Sequence, residues 1–158
     1  MLPTNGNAIL HVDDSPDMTA LVAKYLGDAG YRVESLNNPL DAIATIERGQ
    51  FRIVLLDIDM PQKSGMHLLS EIKSLDAGIQ VIMLTSLVSV TTVLESMQEG
   101  AEACFFKPLS DPEPLLEAVA DSKRRCDRWW HAMRDLTQRR REECSGAAGE
   151  EIEAIEIS

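Results

Sequence analysis

Mostly apolar residues gather into four short runs along the first two-thirds of the chain, at residues 8–12, 53–56, 80–84 and 103–106, and the more polar segment Arg32 to Leu36 reads as a further strand. Between these runs the apolar residues recur every three or four positions. Short apolar runs read as strands, and the intervening period reads as amphipathic helix. The first helix opens at Ser15-Pro16, with Ser as N-cap and Pro in the first turn, and carries Met18, Leu21, Val22, Tyr25 and Leu26 on one face. Gly30 lies just past its end. Asn38-Pro39 starts a second helix that ends near Gly49. The third strand, 53–56, is apolar throughout, as a strand covered on both faces should be. A third helix is predicted over about 64–75, a fourth over about 89–99, and a last one from Asp111-Pro112 onward. Strict alternation of strand and helix with short connections predicts an α/β fold with a parallel sheet and right-handed crossovers.

The last helix continues well past the fifth α/β unit. Leu115, Val119, Ser122, Cys126, Trp129, Met133 and Leu136 follow one another at alternating intervals of four and three, a heptad seam. Its first two members are expected to pack on the sheet, and the rest to extend beyond the domain. Ser145-Gly146-Ala147-Ala148-Gly149 reads as a flexible break before an acidic end. The expected organisation is a domain over residues 1–122, a helical extension over 123–144 and a flexible acidic tail over 145–158. Trp129 and Trp130 are costly to leave in water, so the extension calls for a cover. A homodimer through this helix is the expected cover, with docking on its own domain or on another protein as the alternatives.

Composition narrows the class. The chain has 158 residues, 44% of them hydrophobic, enough for a packed core. No apolar run approaches the ~20 residues of a membrane span. The N-terminal residues lack the basic and long apolar regions of a signal peptide, so a cytoplasmic protein is expected. Three scattered cysteines suggest neither a disulfide framework nor a zinc site. The net charge of −11 disfavours nonspecific DNA binding. That charge is uneven. Residues 123–141 carry eight basic and two acidic side chains, and residues 142–158 carry six acidic and none basic. The acidic residues interrupting and ending the basic block argue against a DNA-binding helix.

Four of the five strands are followed directly by polar chemistry. The segments are His11-Val12-Asp13-Asp14, Leu55-Leu56-Asp57-Ile58-Asp59-Met60-Pro61, Met83-Leu84-Thr85-Ser86 and Phe105-Phe106-Lys107-Pro108. Parallel strands open their C-terminal ends onto one edge, where ligands bind. Asp13, Asp14 and Asp57 would then crowd three carboxylates, which calls for a counter-ion, and Mg²⁺ suits oxygen ligands. Asp57, after the middle strand, is the best placed nucleophile for an acyl phosphate. Lys107 would neutralise phosphoryl charge and Thr85 would donate a hydrogen bond to it. Gly65 permits a turn into the third helix. Other polar residues have plainer readings: His11 as a packed, hydrogen-bonded strand residue, His67 and His131 as surface or interface residues, Met60 and Met66 as packing, and Cys104 as a small, partly buried side chain.

The order and spacing of these segments resemble the receiver domain of two-component response regulators, in particular stand-alone, chemotaxis-regulator-like receivers, over roughly residues 7–122. The resemblance implies a flavodoxin-like, doubly wound five-stranded parallel sheet of order 2-1-3-4-5 with five helices. It implies Asp57 as phosphoacceptor, Thr85 as switch hydroxyl and Lys107 as the phosphate-pairing lysine. Asp14 would ligate Mg²⁺ directly, Asp13 largely through water, and Asp59 through its backbone carbonyl. Phosphate would come from a histidine kinase or phosphotransfer protein, and the chain would be no enzyme beyond its own phosphotransfer and dephosphorylation. Two departures stand out. Cys104 occupies the place of an aromatic residue three before the lysine, and Asp59 adds a fourth acidic side chain at the rim. Two other readings compete: a haloacid-dehalogenase-type phosphatase, whose nucleophile strand Leu55-Leu56-Asp57-Ile58-Asp59 resembles, and a pseudo-receiver that is never phosphorylated. Output is expected through partner binding or a phosphorelay, because about 36 residues follow position 122.

Overall fold

A computed structural model describes the protein over residues 7–157, with side chains over residues 7–147. The elements alternate as the apolar pattern requires. They are β1 (Ala8–Val12), α1 (Pro16–Asp28), β2 (Arg32–Leu36), a 3-10 turn (Pro39–Asp41), α2 (Ala42–Gly49), β3 (Ile53–Leu56), α3 (Gly65–Leu75), β4 (Gln80–Thr85), α4 (Val90–Gln98), β5 (Ala103–Phe106) and α5 (Glu113–Ile157). All strand pairs are parallel, in the order β2-β1-β3-β4-β5. Every residue of β1, β3 and β4 is buried, which explains their largely apolar character; His11 in β1 and Gln80 and Thr85 in β4 are buried polar exceptions. The edge strand β2 is more polar because it is more exposed.

Alternation along the strands divides the core into two layers. Leu10, Val12, Val54, Leu56, Val81 and Met83 face one side, with Ile46 of α2 and Leu68, Leu69 and Ile72 of α3. Ile9, Ile53, Leu55, Ile82 and Leu84 face the other, with Val22 and Leu26 of α1 and Leu115 and Val119 of α5. The first two seam residues of the last helix therefore pack on the sheet as expected. The helix caps also follow the sequence. Ser15 Oγ accepts from Met18 N–H, Ser64 Oγ from Met66 N–H and Asp111 Oδ1 from Glu113 N–H.

Three features depart from the sequence reading. Asn38 caps the short 3-10 turn before α2, so the regular helix begins three residues later than Pro39. α4 is inverted: Thr92 and Ser96 are buried, while Val90, Leu94 and Met97 are exposed. The backbone of α5 passes through Ser145–Gly149 without a break and reaches Ile157. Its alanines and glutamates favour helix, and the two glycines cost only about 1 kcal/mol each. The chain divides into two compact units, the first ending at Cys126 and the second running from Asp127 on. The unit boundary thus falls four residues past Ser122, where Cys126 Sγ still donates to Arg52 O and Arg125 pairs with Glu102. Among the described residues no helix is long and apolar enough to cross a membrane.

Candidate functional site

The sheet ladder runs one residue past three strand ends, and that step fixes the site. Asp13 N–H donates to Leu36 O (3.0 Å), Asp57 N–H to Val12 O (3.0 Å) and Lys107 N–H to Thr85 O (2.9 Å). The backbones of Asp13, Asp57 and Lys107 are therefore held by the sheet, and their side chains emerge together at its C-terminal edge. One oxygen each from Asp13, Asp14 and Asp57 lie within 4.8 Å of one another. Asp14 is exposed, whereas Asp13 and Asp57 are buried.

Lys107 bridges the two buried carboxylates unequally. Its Nζ lies 2.6 Å from Asp13 Oδ2 and 3.4 Å from Asp57 Oδ2. Asp13 is further fixed by Ser15 N–H, which donates to Oδ1 (3.0 Å), and by Asn37 Nδ2, which donates to its carbonyl (2.8 Å). Asp57 is less satisfied: its Oδ1 is buried and has no hydrogen-bond partner. Burial pushes the Asp57 carboxyl above the ordinary carboxylate range, against the pull of the Lys107 ammonium, and Asp13 adds to the rise. A buried carboxylate oxygen without a donor, beside two further carboxylates, fits a hard divalent cation that keeps part of its water.

Thr85 is fully buried at the end of β4, where Leu87 N–H donates to its Oγ1 (3.1 Å). Phe106 pairs with Thr85 in the ladder and is 36% exposed. Cys104 pairs with Met83 and packs on the α2–α3 layer, while Phe105 packs on the opposite one. Asp59 is exposed, and its backbone N–H helps hold the Asp57 carboxyl down.

Two residues differ from their sequence reading. Gly65 begins α3, with its N–H donating to Ile58 O (2.9 Å), and its backbone lies against that of Asp57, so close approach rather than turn geometry requires glycine. His11 is packed as expected, but neither ring nitrogen has a hydrogen-bond partner. Its Nε2 lies 3.8 Å from Asp13 Oδ2. Burial lowers its pKa to about 4 despite Asp13, and Lys107 lowers it further, so the ring stays neutral. Asn37 is a site residue that sequence reasoning missed. Nothing in its local pattern separates it from an ordinary loop asparagine.

A central parallel sheet with an acidic edge, a lysine and a buried hydroxyl defines a class of phospho-accepting signalling domain. The family model for the response regulator receiver domain matches residues 9–120. The chain belongs to that family, whose members are phosphorylation-dependent signalling modules. It is 37% identical over 118 residues to the transcriptional regulatory protein ZraR of Klebsiella oxytoca, covering 73% of this chain and 27% of that one. A CheY-like receiver domain protein from Methanospirillum hungatei superposes with a TM-score of 0.72 at 30% identity, covering 77% of this chain and 97% of that one. TrrA from Thermotoga maritima, solved in complex with Mg(2+)-BeF, superposes with a TM-score of 0.67 at 28% identity, covering 73% and 98%. The chain thus spans about a quarter of the ZraR length.

Proposed function

We propose that Asp57 accepts a phosphoryl group from the phosphohistidine of a cytoplasmic histidine kinase or phosphotransfer protein. The observation that carries this reading is the Asp57 carboxylate, buried at the sheet edge with one oxygen unpartnered and the other 3.4 Å from Lys107. In the transfer a carboxylate oxygen of Asp57 forms the new O–P bond as the N–P bond to the donor imidazole breaks, and the electron pair leaves with that nitrogen. Asp13, Asp14, Asp57 and the backbone carbonyl of Asp59 would hold Mg²⁺, which offsets charge on the transferring oxygens. Lys107 is already tethered to Asp13, so its ammonium waits beside Asp57 for the incoming charge. Thr85 accepts from Leu87 N–H, and its own hydroxyl proton remains for a phosphoryl oxygen.

Family membership sets aside the haloacid-dehalogenase reading, and the complete carboxylate, hydroxyl and lysine set disfavours a pseudo-receiver. Output would pass to a binding partner or a phosphorelay. The exposed Trp129, Met133 and Leu136 support a homodimer through the α5 extension. Incubation with acetyl phosphate or a kinase and Mg²⁺ should label Asp57 with a base-labile acyl phosphate. Undiminished labelling of Asp57→Asn would overturn the assignment.

A further inference from the structure

The second unit carries an apolar stripe that stops short. Trp129, Met133 and Leu136 are 70%, 53% and 53% exposed. Continued at the same intervals, the seam runs through Arg140, Glu143, Ala147, Glu150, Ala154 and Ile157. The helix also changes sign along its length. Residues 123–141 have a balance of +6, and residues 142–158 a balance of −6. α5 presents both blocks on one continuous backbone to Ile157.

A second copy can lie along this seam in two directions. A parallel pair in register sets Arg140 against Arg140, Glu143 against Glu143 and Trp129 against Trp129. Like charges so placed repel. An antiparallel pair whose two-fold axis passes between Arg141 and Glu142 keeps the seam facing itself. It sets the basic block of each copy against the acidic block of the other. By sequence position Arg140 then meets the second copy's Glu143. Trp129 meets Ala154 and Leu136 meets Ala147, large against small, while Met133 falls opposite Glu150. The 31 residues from Asp127 to Ile157 span about 46 Å at the usual helical rise.

We propose that two copies of this chain pair their α5 extensions antiparallel, about an axis between Arg141 and Glu142. The proposal rests on the homodimer reading above and adds direction and register to it. Charge complementarity selects the orientation, and the apolar stripe supplies the contact that excludes water.

The test uses the full chain. Sedimentation equilibrium of the unmodified protein should give the mass of two copies. Spin labels are then placed singly at native Cys144 and at Ala132→Cys, with the other cysteines changed to serine and folding checked by circular dichroism. Antiparallel pairing predicts an axial separation of about 8 Å between the two labels at 144 and about 28 Å at 132. Parallel pairing predicts one short separation, set by a helix spacing of about 10 Å, at both positions. Raising the ionic strength should weaken the antiparallel dimer, by roughly tenfold in dissociation constant, and should tighten a parallel one. A dimer with short distances at both positions would overturn the orientation and leave the homodimer standing. A single-copy mass would overturn the homodimer and the orientation with it.

Discussion

Gly65 and Asp57 touch through their backbones. A Cβ on Gly65 would sit 1.9 Å from the Asp57 carbonyl oxygen and 2.7 Å from Ile58 Cα. Both neighbours are main-chain atoms at the end of a buried strand, so neither can swing away. Gly65→Ala should destabilise the fold by about 1–3 kcal/mol, the range for overpacking. It should also slow phosphoryl acceptance, because the relief must come from the strand end that carries Asp57. Urea unfolding and a labelling time course check the two effects. A variant of unchanged stability would mean that α3 can shift freely, against this geometry.

Asp57 itself should weaken the metal-free protein. Its folded pKa is raised, chiefly by burial. A raised carboxyl pKa favours the fold at low pH, and that contribution is lost as pH rises through the folded value. At neutral pH with a chelator, Asp57→Asn should therefore melt higher than the parent. Added Mg²⁺ should raise the parent's Tm more than the variant's and narrow the gap. A lower Tm for the metal-free variant would count against the repulsion and burial argument.

His11 should give the metal-free protein a distinct acid slope. Its folded pKa is lowered to about 4 from an ordinary 6.5, so the unfolded chain binds the extra proton between those values. Stability is then full above pH 6.5 and falls as pH drops toward 4. The loss amounts to about 3 kcal/mol at 1.36 kcal/mol per pKa unit. His11→Val should flatten that segment of the stability curve. Chemical denaturation of both proteins across the range, in chelator, tests it, and identical slopes would refute the assignment.

The Leu87 amide should report switching. Its N–H donates to Thr85 Oγ1, so any turn of Thr85 toward a phosphoryl group must disturb that bond. With beryllofluoride and Mg²⁺, amide shifts should be large at Thr85, Leu87 and Phe106 and smaller at Cys104, which lacks a ring. A pattern dominated by Cys104, with Leu87 unmoved, would exclude this route.

The strands were legible because a doubly covered parallel sheet favours apolar runs, and β1, β3 and β4 supply them with only His11, Gln80 and Thr85 as exceptions. The site was legible because its carboxylates, hydroxyl and lysine each follow a strand directly. Other features arise from tertiary contact and leave no local trace. The missing partners of the His11 ring depend on what surrounds it across the sheet. The pairing of Lys107 with Asp13 ahead of Asp57 is set by distances that no spacing encodes. The passage of α5 through Ser145–Gly149 shows the opposite case. Two glycines read locally as a break were outweighed by the helix-forming residues around them.

The inverted amphipathicity of α4 bears on how easily that helix can be displaced. Ser96 donates to Thr92 O, a bond inside the helix that travels with it, and its other polar contact is the Met66 sulfur at 3.5 Å. Sliding or lifting α4 would wet two hydroxyl-bearing residues rather than two leucines, so little apolar hydration opposes the motion. The helix should therefore open locally well before the domain unfolds. Native-state amide exchange should find the α4 amides exchanging faster than those of α1 and α3. Equal protection across the three helices would show that α4 is anchored by something other than its buried face.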